Sequence, residues 1–488
     1  MARIPTATGV SALAAAVLGG VVLSSSPPAG AGPAASPDSP LGWRGDGSGR
    51  FPDASPVTEW SRTKNVSWRT PMPDWSHSQP VVAGQYVFVT AEPTTLLCLS
   101  RTDGKILWQK THDLEDTLPP NRQAQVKKDL AAAARIRKAK LDPLKQRLQQ
   151  VTRTLQGMPE DPFLRSQKAS LKRNIESLEK QLAALEEYRP PRVDPAIGHS
   201  NCTPVTDGQG LFALFGNGVG AVYDLTGSRR WIRVIRRAKM PLGYSMSPVL
   251  AGRALVMAID KEVLAVDAAT GEDLWTRPTS RPSGGLAAAR IGEAHVVVTA
   301  EGSLVRVSDG KFLDRVRQPA ETASSAPVIR DGVLYILGAR QQLMIDMLLS
   351  DSPGDVRLKH LASGRAFSGV YYTSPLYHDG CVFFWDRQNV LSVVDAKTGR
   401  QVRSKQMGLS GSAYSSPTLG GEYIFLGTDD GTMAVLKPSV MRDRDDKLSI
   451  ELTEVARNKL EPMRSSPVFA GKHMYLRTLK NVYCIGEK

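Results

Sequence analysis

A short repeated unit constrains the fold of this chain more than any other feature. The unit is clearest at residues 244–277, about 34 residues that contain three short β-rich runs and a fourth ending near Trp275. Gly252 and Gly271 stand at its first and last junctions, where hairpin turns need residues that tolerate a positive φ. The pattern predicts a four-stranded antiparallel meander. Because one meander cannot bury both of its faces, it also predicts further copies.

The unit recurs along the chain. Each copy opens with a small residue, a Pro, an apolar pair and a Gly four or five positions after the Pro. Seven copies keep the Pro, at Pro80, Pro204, Pro248, Pro327, Pro375, Pro417 and Pro467. An eighth copy has lost the Pro but keeps the spacing, with Ala288 at the Pro position, four residues before Gly292. From Pro204 onward the copies lie 39 to 50 residues apart, and this period of four short strands is typical of a β-propeller.

The two ends of the chain are predicted to share one blade. The copy that opens at Pro467 stops after three strands, whereas the run 65–71 stands alone before the first copy. Trp68 holds the same position in that run as Trp108 holds in the fourth strand of the first copy, so the run is predicted to be a fourth strand. Pairing the two ends would hide two exposed sheet edges. The predicted fold class is therefore all-β: an eight-bladed β-propeller of four-stranded antiparallel blades, in which an N-terminal strand closes the last blade.

The first 56 residues do not follow the repeat. Arg3 precedes an apolar run from Val10 to Leu23, and residues 29–31 supply an A-x-A cleavage pattern, so residues 1–31 are predicted to be a signal peptide. The alternative is a membrane anchor, for which an apolar run of about 14 residues is short. Residues 32–56 are Pro/Gly-rich and predict a linker or a surface arm. We expect an exported protein, periplasmic or extracellular, whose mature chain has no transmembrane span.

An insert of different composition separates the first two blades. Residues 57–112 would hold the closing strand and blade 1, and residues 196–488 would hold blades 2–8. Residues 113–195 are rich in Ala, Leu, Lys, Arg, Gln and Glu, and their leucines follow two runs of alternating three- and four-residue spacing. Gly157 and Pro162 interrupt the pattern between the runs. This predicts an α-helical coiled-coil hairpin, which we call the arm.

The arm is strongly basic. Residues 121–192 contain 17 Lys/Arg against 8 Asp/Glu, a net charge of +9, while the whole chain carries +14. One interpretation is a solvated helical arm. The other is docking onto something anionic, either a polyanionic envelope surface or an acidic or envelope-associated protein partner. Nucleic acid fits poorly, because the chain is predicted to be exported and the arm lacks interleaved aromatic residues. The predicted docking residues are Lys127, Lys128, Arg135, Arg137, Lys138, Lys140, Lys145 and Arg147.

The four cysteines are widely separated, and the nearest two lie 103 residues apart. Export would permit disulfides. Cys98 and Cys484 fall at equivalent third-strand positions of neighbouring blades, about 10 Å apart and beyond disulfide reach. These two are therefore predicted to be small buried hydrophobic residues.

The innermost strand of each propeller blade lines the central channel, which gives a candidate ligand site. The residues three positions before each opening Pro should meet at one mouth of the channel. With the blade 4 equivalent Gly285, these residues are His77, Asn201, Ser245, Ser324, Tyr372, Tyr414 and Arg464. Such a rim suits a small anion, a sugar or a peptide end. The alternative is a water-filled channel whose polar groups merely stay solvated.

Three openings, at 322–338, 414–431 and 464–476, resemble the PQQ-like β-propeller repeat, as do the endings AVDAATGEDLW and VVDAKTGRQV. The stretch that begins at Leu41 is similar to the entry segment of exported bacterial members. This repeat builds quinoprotein alcohol dehydrogenases and the propeller subunit of the outer-membrane protein assembly machinery. The resemblance identifies Trp108, Trp231 and Trp275 as packing tryptophans, which we assign to contacts between blades.

The resemblance leaves two kinds of activity open. Quinoprotein dehydrogenases use a vicinal Cys-Cys disulfide and an acidic residue beside Ca²⁺, and their quinone performs the hydride chemistry. This chain has no adjacent cysteines and no recognisable Glu, Asn and Asp cluster for Ca²⁺. It also lacks the C-x-x-C-H haem motif and the common hydrolase motifs. We therefore predict a non-catalytic scaffold without cofactor or metal. The alternatives are a PQQ-dependent oxidoreductase and a small-ligand sensor or carrier.

Overall fold

A computed structural model describes residues 35, 40–242, 244, 246–279, 284–319, 324–338, 340, 342–352, 354–366 and 369–487. The predicted signal peptide lies outside these residues. The described chain forms the predicted eight-bladed β-propeller, with one antiparallel sheet per blade. Each blade runs from an inner strand at the channel to an outer strand at the rim of the ring.

The blades are consecutive in sequence, and their strands are as follows. Blades 1 and 2 consist of Val81–Ala83, Tyr86–Ala91, Thr95–Ser100, Ile106–Thr111 and of Val205–Thr206, Leu211–Leu214, Val219–Tyr223, Arg229–Val234. Blades 3 and 4 consist of Val249–Ala251, Ala254–Ile259, Glu262–Asp267, Asp273–Pro278 and of Ala287–Ile291, Ala294–Val298, Ser303–Arg306, Phe312–Arg315. Blades 5 and 6 consist of Val328–Arg330, Val333–Leu337, Gln342–Ser352, Asp355–Ala366 and of Leu376–His378, Cys381–Trp385, Val390–Asp395, Gln401–Gln406. Blades 7 and 8 contain Thr418–Gly420, Tyr423–Gly427, Thr432–Arg442, Leu448–Lys459 and Val468–Ala470, His473–Arg477, Asn481–Ile485.

The two middle strands of each blade form the core. The strand Ala254–Ile259 is buried along its whole length, because both faces of a blade pack against neighbouring blades. The outer strand Ile106–Thr111 is largely exposed instead. The turns follow the sequence signals: Gly252 and Gly271 adopt φ values of 57° and 77°. A side chain with a Cβ atom rarely adopts such angles.

The last blade is assembled from both ends of the chain. The strand Val66–Pro71 pairs antiparallel with Asn481–Ile485 and places Trp68 opposite Cys484. Blade 8 is thus four-stranded, and its outermost strand precedes the first strand of blade 1 in sequence. Opening the ring here would break every backbone hydrogen bond between these two strands.

Tryptophans of four outer strands join neighbouring blades, as predicted for three of them. Each indole lies against the turn glycine of the next blade; Trp108, for example, covers Gly227 so closely that an added Cβ would sit 3.0 Å from the ring. Each indole N–H also donates to a carbonyl oxygen of that blade. The pairs are Trp68 to Arg101 (2.9 Å), Trp108 to Leu225 (3.3 Å), Trp231 to Ala268 (3.1 Å) and Trp275 to Val307 (2.7 Å).

A belt of side-chain hydroxyls joins the inner strands. The residue before the opening Pro of one blade donates its backbone N–H to the hydroxyl at the same position of the next blade. The bonds are Gln79 to Thr203 (3.0 Å), Thr203 to Ser247 (2.9 Å), Ala326 to Ser374 (2.8 Å), Ser374 to Ser416 (3.0 Å) and Ser416 to Ser466 (2.8 Å). We call Thr203, Ser247, Ser374, Ser416 and Ser466 the hydroxyl belt. It explains why a small residue precedes the Pro in most copies.

The belt is interrupted at blade 4, which has also lost its Pro. Ala287 of blade 4 and Ala326 of blade 5 stand one residue before the Pro position, and neither has a side-chain hydroxyl. Contact is made instead by close approach, because a Cβ on Gly285 would lie 2.6 Å from the Cβ of Ala326. Apolar packing therefore replaces hydrogen bonding on this side of the ring.

Blades 5 and 7 have long outer hairpins. Their third and fourth strands are 11 and 12 residues long in each case. The recurring Pro residues that bound these blades are correspondingly 48 and 50 residues apart. The longest repeats thus extend existing strands and add no new elements in the part of the chain that the structure describes.

Residues 40–56 are not laid on the outer surface. Leu41 bridges to Thr206 of blade 2, and Arg50–Phe51 pairs parallel with Leu419–Gly420 at the inner edge of blade 7. The prediction of a linker or surface arm rested on composition. It missed the apolar side chain of Phe51, which is buried against Phe469 with ring centroids 5.6 Å apart.

The insert is helical, as predicted. Helix α1 (Pro120–Ile136), a π-helical turn (Arg137–Leu141) and helix α2 (Asp142–Gly157) form one continuous helix of 38 residues. After a short turn, helix α3 (Pro162–Ala183) returns alongside it. The helices pack through Leu141, Ile175 and Leu182 among other apolar side chains. Coiled-coil geometry for this pair stays a prediction.

All four cysteines are buried and unpaired. Cys98 and Cys484 lie in the apolar cores of blades 1 and 8, and burial raises the pKa of each thiol to about 12. They behave as small hydrophobic residues rather than as reactive thiols.

Replacing Ser416 by Ala should weaken the ring. The change removes the acceptor of the Ser374 N–H and leaves that buried donor without a partner. We expect the free energy of unfolding to fall by about 1–3 kcal/mol, measured by chemical denaturation. Ser404→Ala, at an exposed position of the blade 6 outer strand, is the matched control and should change stability by less than about 0.5 kcal/mol. Equal stability of the two variants would contradict a structural role for the belt.

Candidate functional site

The inner strands surround a cavity of about 790 Å³. All eight blades contribute side chains or backbone to its wall, so the cavity is the central channel of the propeller. Pockets of this size accommodate small organic ligands.

The predicted rim residues do meet in this channel. Ser245 lies outside the described residues, and blade 4 contributes Gly285 in the equivalent place. The remaining predicted residues that line the cavity are His77, Asn201, Ser324, Tyr372, Tyr414 and Arg464.

Four side chains from blades 6, 7 and 8 form a stack on one side of the mouth. The rings of Tyr372 and Tyr414 are nearly parallel, at 7°, with centroids 5.2 Å apart. The guanidinium carbon of Arg464 lies 4.3 Å from the Tyr414 centroid, and that of Arg387 lies 5.8 Å from the Tyr372 centroid. Cation–π contacts thus occupy the outer faces of both rings. The phenol hydroxyls and ring edges remain as the groups that a ligand could contact.

His77 and Arg464 converge on one carbonyl oxygen. The Nε2 of His77 and the Nη1 of Arg464 each lie 3.0 Å from the backbone oxygen of Ala196. Because a carbonyl only accepts, Nε2 carries the proton, and the buried Nδ1 has no hydrogen-bond partner. Burial and the positive charge of Arg464 lower the pKa of His77 to about 4. At neutral pH the imidazole is therefore uncharged.

The carbonyl at Ala196 belongs to the chain returning from the arm, which the repeat analysis did not place in the site. Asp194 and Ala196 both line the cavity. The next residues are fixed to blade 1, because the carboxylate of Glu92 accepts from the backbone N–H groups of His199 (3.0 Å) and Ser200 (2.6 Å). The arm is thus connected directly to the channel mouth. The segment lies outside any repeat, so its sequence offered no periodic signal.

The N-terminal segment lies across the other end of the channel. Trp43 and Asp46 line the cavity. Between them Arg44 is fully buried, and its guanidinium donates to the carbonyl oxygens of Pro375 and Pro417, both at 2.9 Å. Burial lowers the pKa of Arg44 to about 9. A Pro/Gly-rich composition gave no indication that this arginine would join blades 6 and 7.

The predicted docking residues of the arm are placed as expected for a solvent-facing surface, with two exceptions. Arg137 is half-buried and forms an ion pair with Glu186, and Lys145 pairs with Glu179 at 2.6 Å. The other six are exposed and make no ion pair within the described arm; they are Lys127, Lys128, Arg135, Lys138, Lys140 and Arg147.

The four buried, unpaired cysteines belong to separate parts of the ring. Among the described residues, no group of three or more His, Cys, Asp or Glu side chains is placed to hold a metal ion.

Within the described ranges, no helix has the length and apolar character needed to cross a membrane.

The fold, the Ser-Pro openings and the Thr-Gly endings define a PQQ-like β-propeller. Residues 15–150, 193–311, 260–348 and 300–487 match the family described as outer membrane protein assembly factor BamB. The chain belongs to this family. The matches leave out the second half of the arm.

The solved structures that resemble this chain share little sequence identity with it. BamB from Moraxella catarrhalis is 13% identical, with a TM-score of 0.43 over 58% of this chain and 80% of that one. The quinohemoprotein alcohol dehydrogenase of Comamonas testosteroni is 9% identical, with a TM-score of 0.47 over 90% and 79%. The quinohemoprotein alcohol dehydrogenase ADHIIG of Pseudomonas putida HK5 is 11% identical, with a TM-score of 0.48 over 90% and 74%. No curated protein matches the sequence.

The half-buried, neutral His77 should make the protein less stable in acid. Its folded pKa of about 4 lies below the ordinary value of 6.5, so between these values the unfolded chain binds a proton that the folded chain does not. Stability should therefore fall as the pH falls from 6.5 to about 4. In His77→Gln this loss should be smaller, measured by thermal unfolding across that range.

The stability of His77→Gln should still fall with decreasing pH, because burial also lowers the pKa of His112 to about 4. Arg464→Gln should raise the pKa of His77 towards its ordinary value, followed by the NMR titration of the imidazole. An unchanged titration would show that Arg464 does not influence His77.

Proposed function

We propose that this protein is an exported, non-catalytic scaffold in which the propeller is a rigid platform and the basic arm docks a partner. The observation that carries the proposal is the exposure of six unpaired cations on a helical arm that projects from an otherwise closed ring. The family name, an assembly factor, agrees with a role in holding other proteins together. We expect a periplasmic or extracellular location.

The architecture supports docking by the arm rather than passive solvation. The base of the arm is held against the ring through Tyr188. The guanidinium of Arg237, in the connection after blade 2, lies 5.8 Å from the Tyr188 ring centroid, and the guanidinium of Arg122, on helix α1, lies 5.9 Å from the same centroid. Further along the arm, the ion pair between Arg137 and Glu186 joins the long helix to the segment that follows helix α3. A braced arm loses little conformational entropy when it binds, which favours affinity.

The proposed partner is an acidic or envelope-associated protein. Lys and Arg side chains attract acidic surfaces and accelerate association at low salt. Nucleic acid is the poorer fit for an exported chain, and the arm offers few aromatic side chains for base stacking. The knobs-into-holes packing predicted for the helices would keep the arm straight.

Charge reversal on the arm should abolish partner capture. We expect a variant with four Lys→Glu changes to lose its partners in a pull-down from the envelope fraction of its own cells. The changes are at Lys127, Lys128, Lys138 and Lys140. Loss follows because repulsion replaces attraction at each position.

The control variant reverses four exposed cations on the propeller and should keep the partners. The positions are Lys311, Lys359, Arg403 and Lys472. Equal retention of partners by both variants would contradict a docking role for the arm.

A second candidate function is the binding of a small ligand at the channel mouth. It is favoured by the convergence of His77, Tyr372, Tyr414 and Arg464 on one cavity. The cations and phenol hydroxyls suit a small anion, a sugar or a peptide end. In this case the protein would act as a sensor or carrier, and Ala196 would couple the ligand to the base of the arm.

This second candidate predicts a thermal shift with a member of a panel of small carboxylates, monosaccharides and short peptides. The shift should be lost in Arg464→Ala and in Tyr372→Ala, because each removes one side chain of the stack. Arg403→Ala, on the exposed outer strand of blade 6, should keep it. A shift that survives in all three variants would place the ligand elsewhere.

A further inference from the structure

The tip of the arm exposes two large apolar side chains. Met158 directly follows helix α2 and Phe163 is the second residue of helix α3, on the two sides of the turn that joins the helices. The exposed fractions are 59% for Met158 and 72% for Phe163, the largest among the exposed large hydrophobic side chains of the described chain. Neither is used in the packing of the two helices.

This tip lies far from the propeller. The Arg137–Glu186 ion pair marks the base of the helical pair. Helix α2 ends 20 residues after Arg137, which corresponds to about 30 Å at 1.5 Å per residue. The two apolar side chains are therefore at the most distant part of the arm, where they cannot contribute to the propeller core.

Cations surround the tip, and the acidic residues there already have partners. Residues 147–173 contain six Lys/Arg and two Asp/Glu, a net charge of +4. Glu160 pairs with Arg165 at 2.7 Å, and the carboxylate of Asp161 accepts from the Leu164 N–H at 2.9 Å to begin helix α3. Arg153 and Arg173 are exposed, and within the described arm neither forms an ion pair.

We propose that the tip of the arm inserts Met158 and Phe163 into the headgroup region of an anionic lipid bilayer. The inference rests on the proposed role of the arm in docking. It assigns a bilayer to the tip alone, beyond the cations of the first helical part that are proposed to meet a protein partner. Apolar side chains framed by Lys and Arg are the pattern of interfacial membrane binding. Long cationic side chains can reach the phosphates while the apolar ones enter the acyl boundary.

The shape of the tip favours a bilayer over an acidic protein. A turn between two helices is convex, so a protein partner would need a matching pocket to cover Phe163, whereas lipid headgroups rearrange around it. The free cations lie on both helices, Arg153 on α2 and Arg173 on α3. A fluid anionic surface can meet both sides at once. With the tip bound to a bilayer, the arm would keep the propeller about 30 Å from the membrane surface.

The test is co-sedimentation of the processed chain, residues 32–488, with lipid vesicles. The vesicles contain phosphatidylcholine either alone or mixed with phosphatidylglycerol. We expect binding to the mixed vesicles only, and weaker binding at high salt. The double variant Met158→Ser/Phe163→Ser should bind at least about tenfold more weakly, and Arg153→Glu/Arg173→Glu should also lose binding.

Met441→Ser is the matched control, because Met441 is 56% exposed but lies on the blade 7 hairpin. It should bind as the unchanged protein does. Equal binding by the Met158/Phe163 variant and this control would overturn the proposal. So would a failure of the unchanged protein to bind mixed vesicles. If partner capture from the envelope fraction still depends on the arm in that event, the scaffold function stands and its partner is an acidic protein.

Discussion

The structure depends on how eight similar sheets are joined where they meet at the axis. The inner strands at the axis are only two to five residues long. The sheet hydrogen bonds within each blade therefore contribute little to joining one blade to the next. The hydroxyl belt supplies the missing contacts. A serine or threonine one residue before the Pro accepts from the backbone of the preceding blade, which satisfies a buried N–H that no sheet partner reaches. The Pro that follows has no N–H, so at Thr203, Ser374 and Ser416 the dipeptide leaves no backbone N–H without an acceptor.

The break in the belt at blade 4 has a consequence for the channel. On blades 6 to 8 the wall beside the belt is polar and carries the Tyr372–Tyr414 stack. On blades 3 to 5 the wall includes the apolar side chains of Met246, Leu286 and Ala326 beside the hydroxyls of Ser247 and Ser324. The loss of the belt at blade 4 therefore coincides with more apolar side chains at the channel wall.

The sequence allowed the blades to be predicted because each blade repeats the same local solution. Turn glycines, buried strands and the Ser-Pro openings recur at a fixed period, so evidence from one copy supports the next. The same argument located the rim, since equivalent positions of a ring must converge. It failed for Arg44 and Ala196, which occur once. The repeat period does not indicate that Arg44 donates hydrogen bonds to two carbonyl oxygens of blades 6 and 7. Nor does it indicate that the carbonyl of Ala196 accepts from His77 and Arg464.

These two unrepeated segments close the ring at its opposite ends. The segment around Arg44 ties blades 6 and 7 to blade 1 through Gln79, which accepts from the Arg44 N–H at 2.7 Å. The segment around Ala196 ties blades 8 and 1 to the base of the arm. Both therefore act on blades next to the seam where the two ends of the chain pair. The base of the arm contacts the ring at Arg237 after blade 2 and also at the Ala196 carbonyl, which an uncharged imidazole and a guanidinium hold beside the seam. Because the imidazole would repel Arg464 if it were protonated, the neutral state of His77 is itself a condition for this connection.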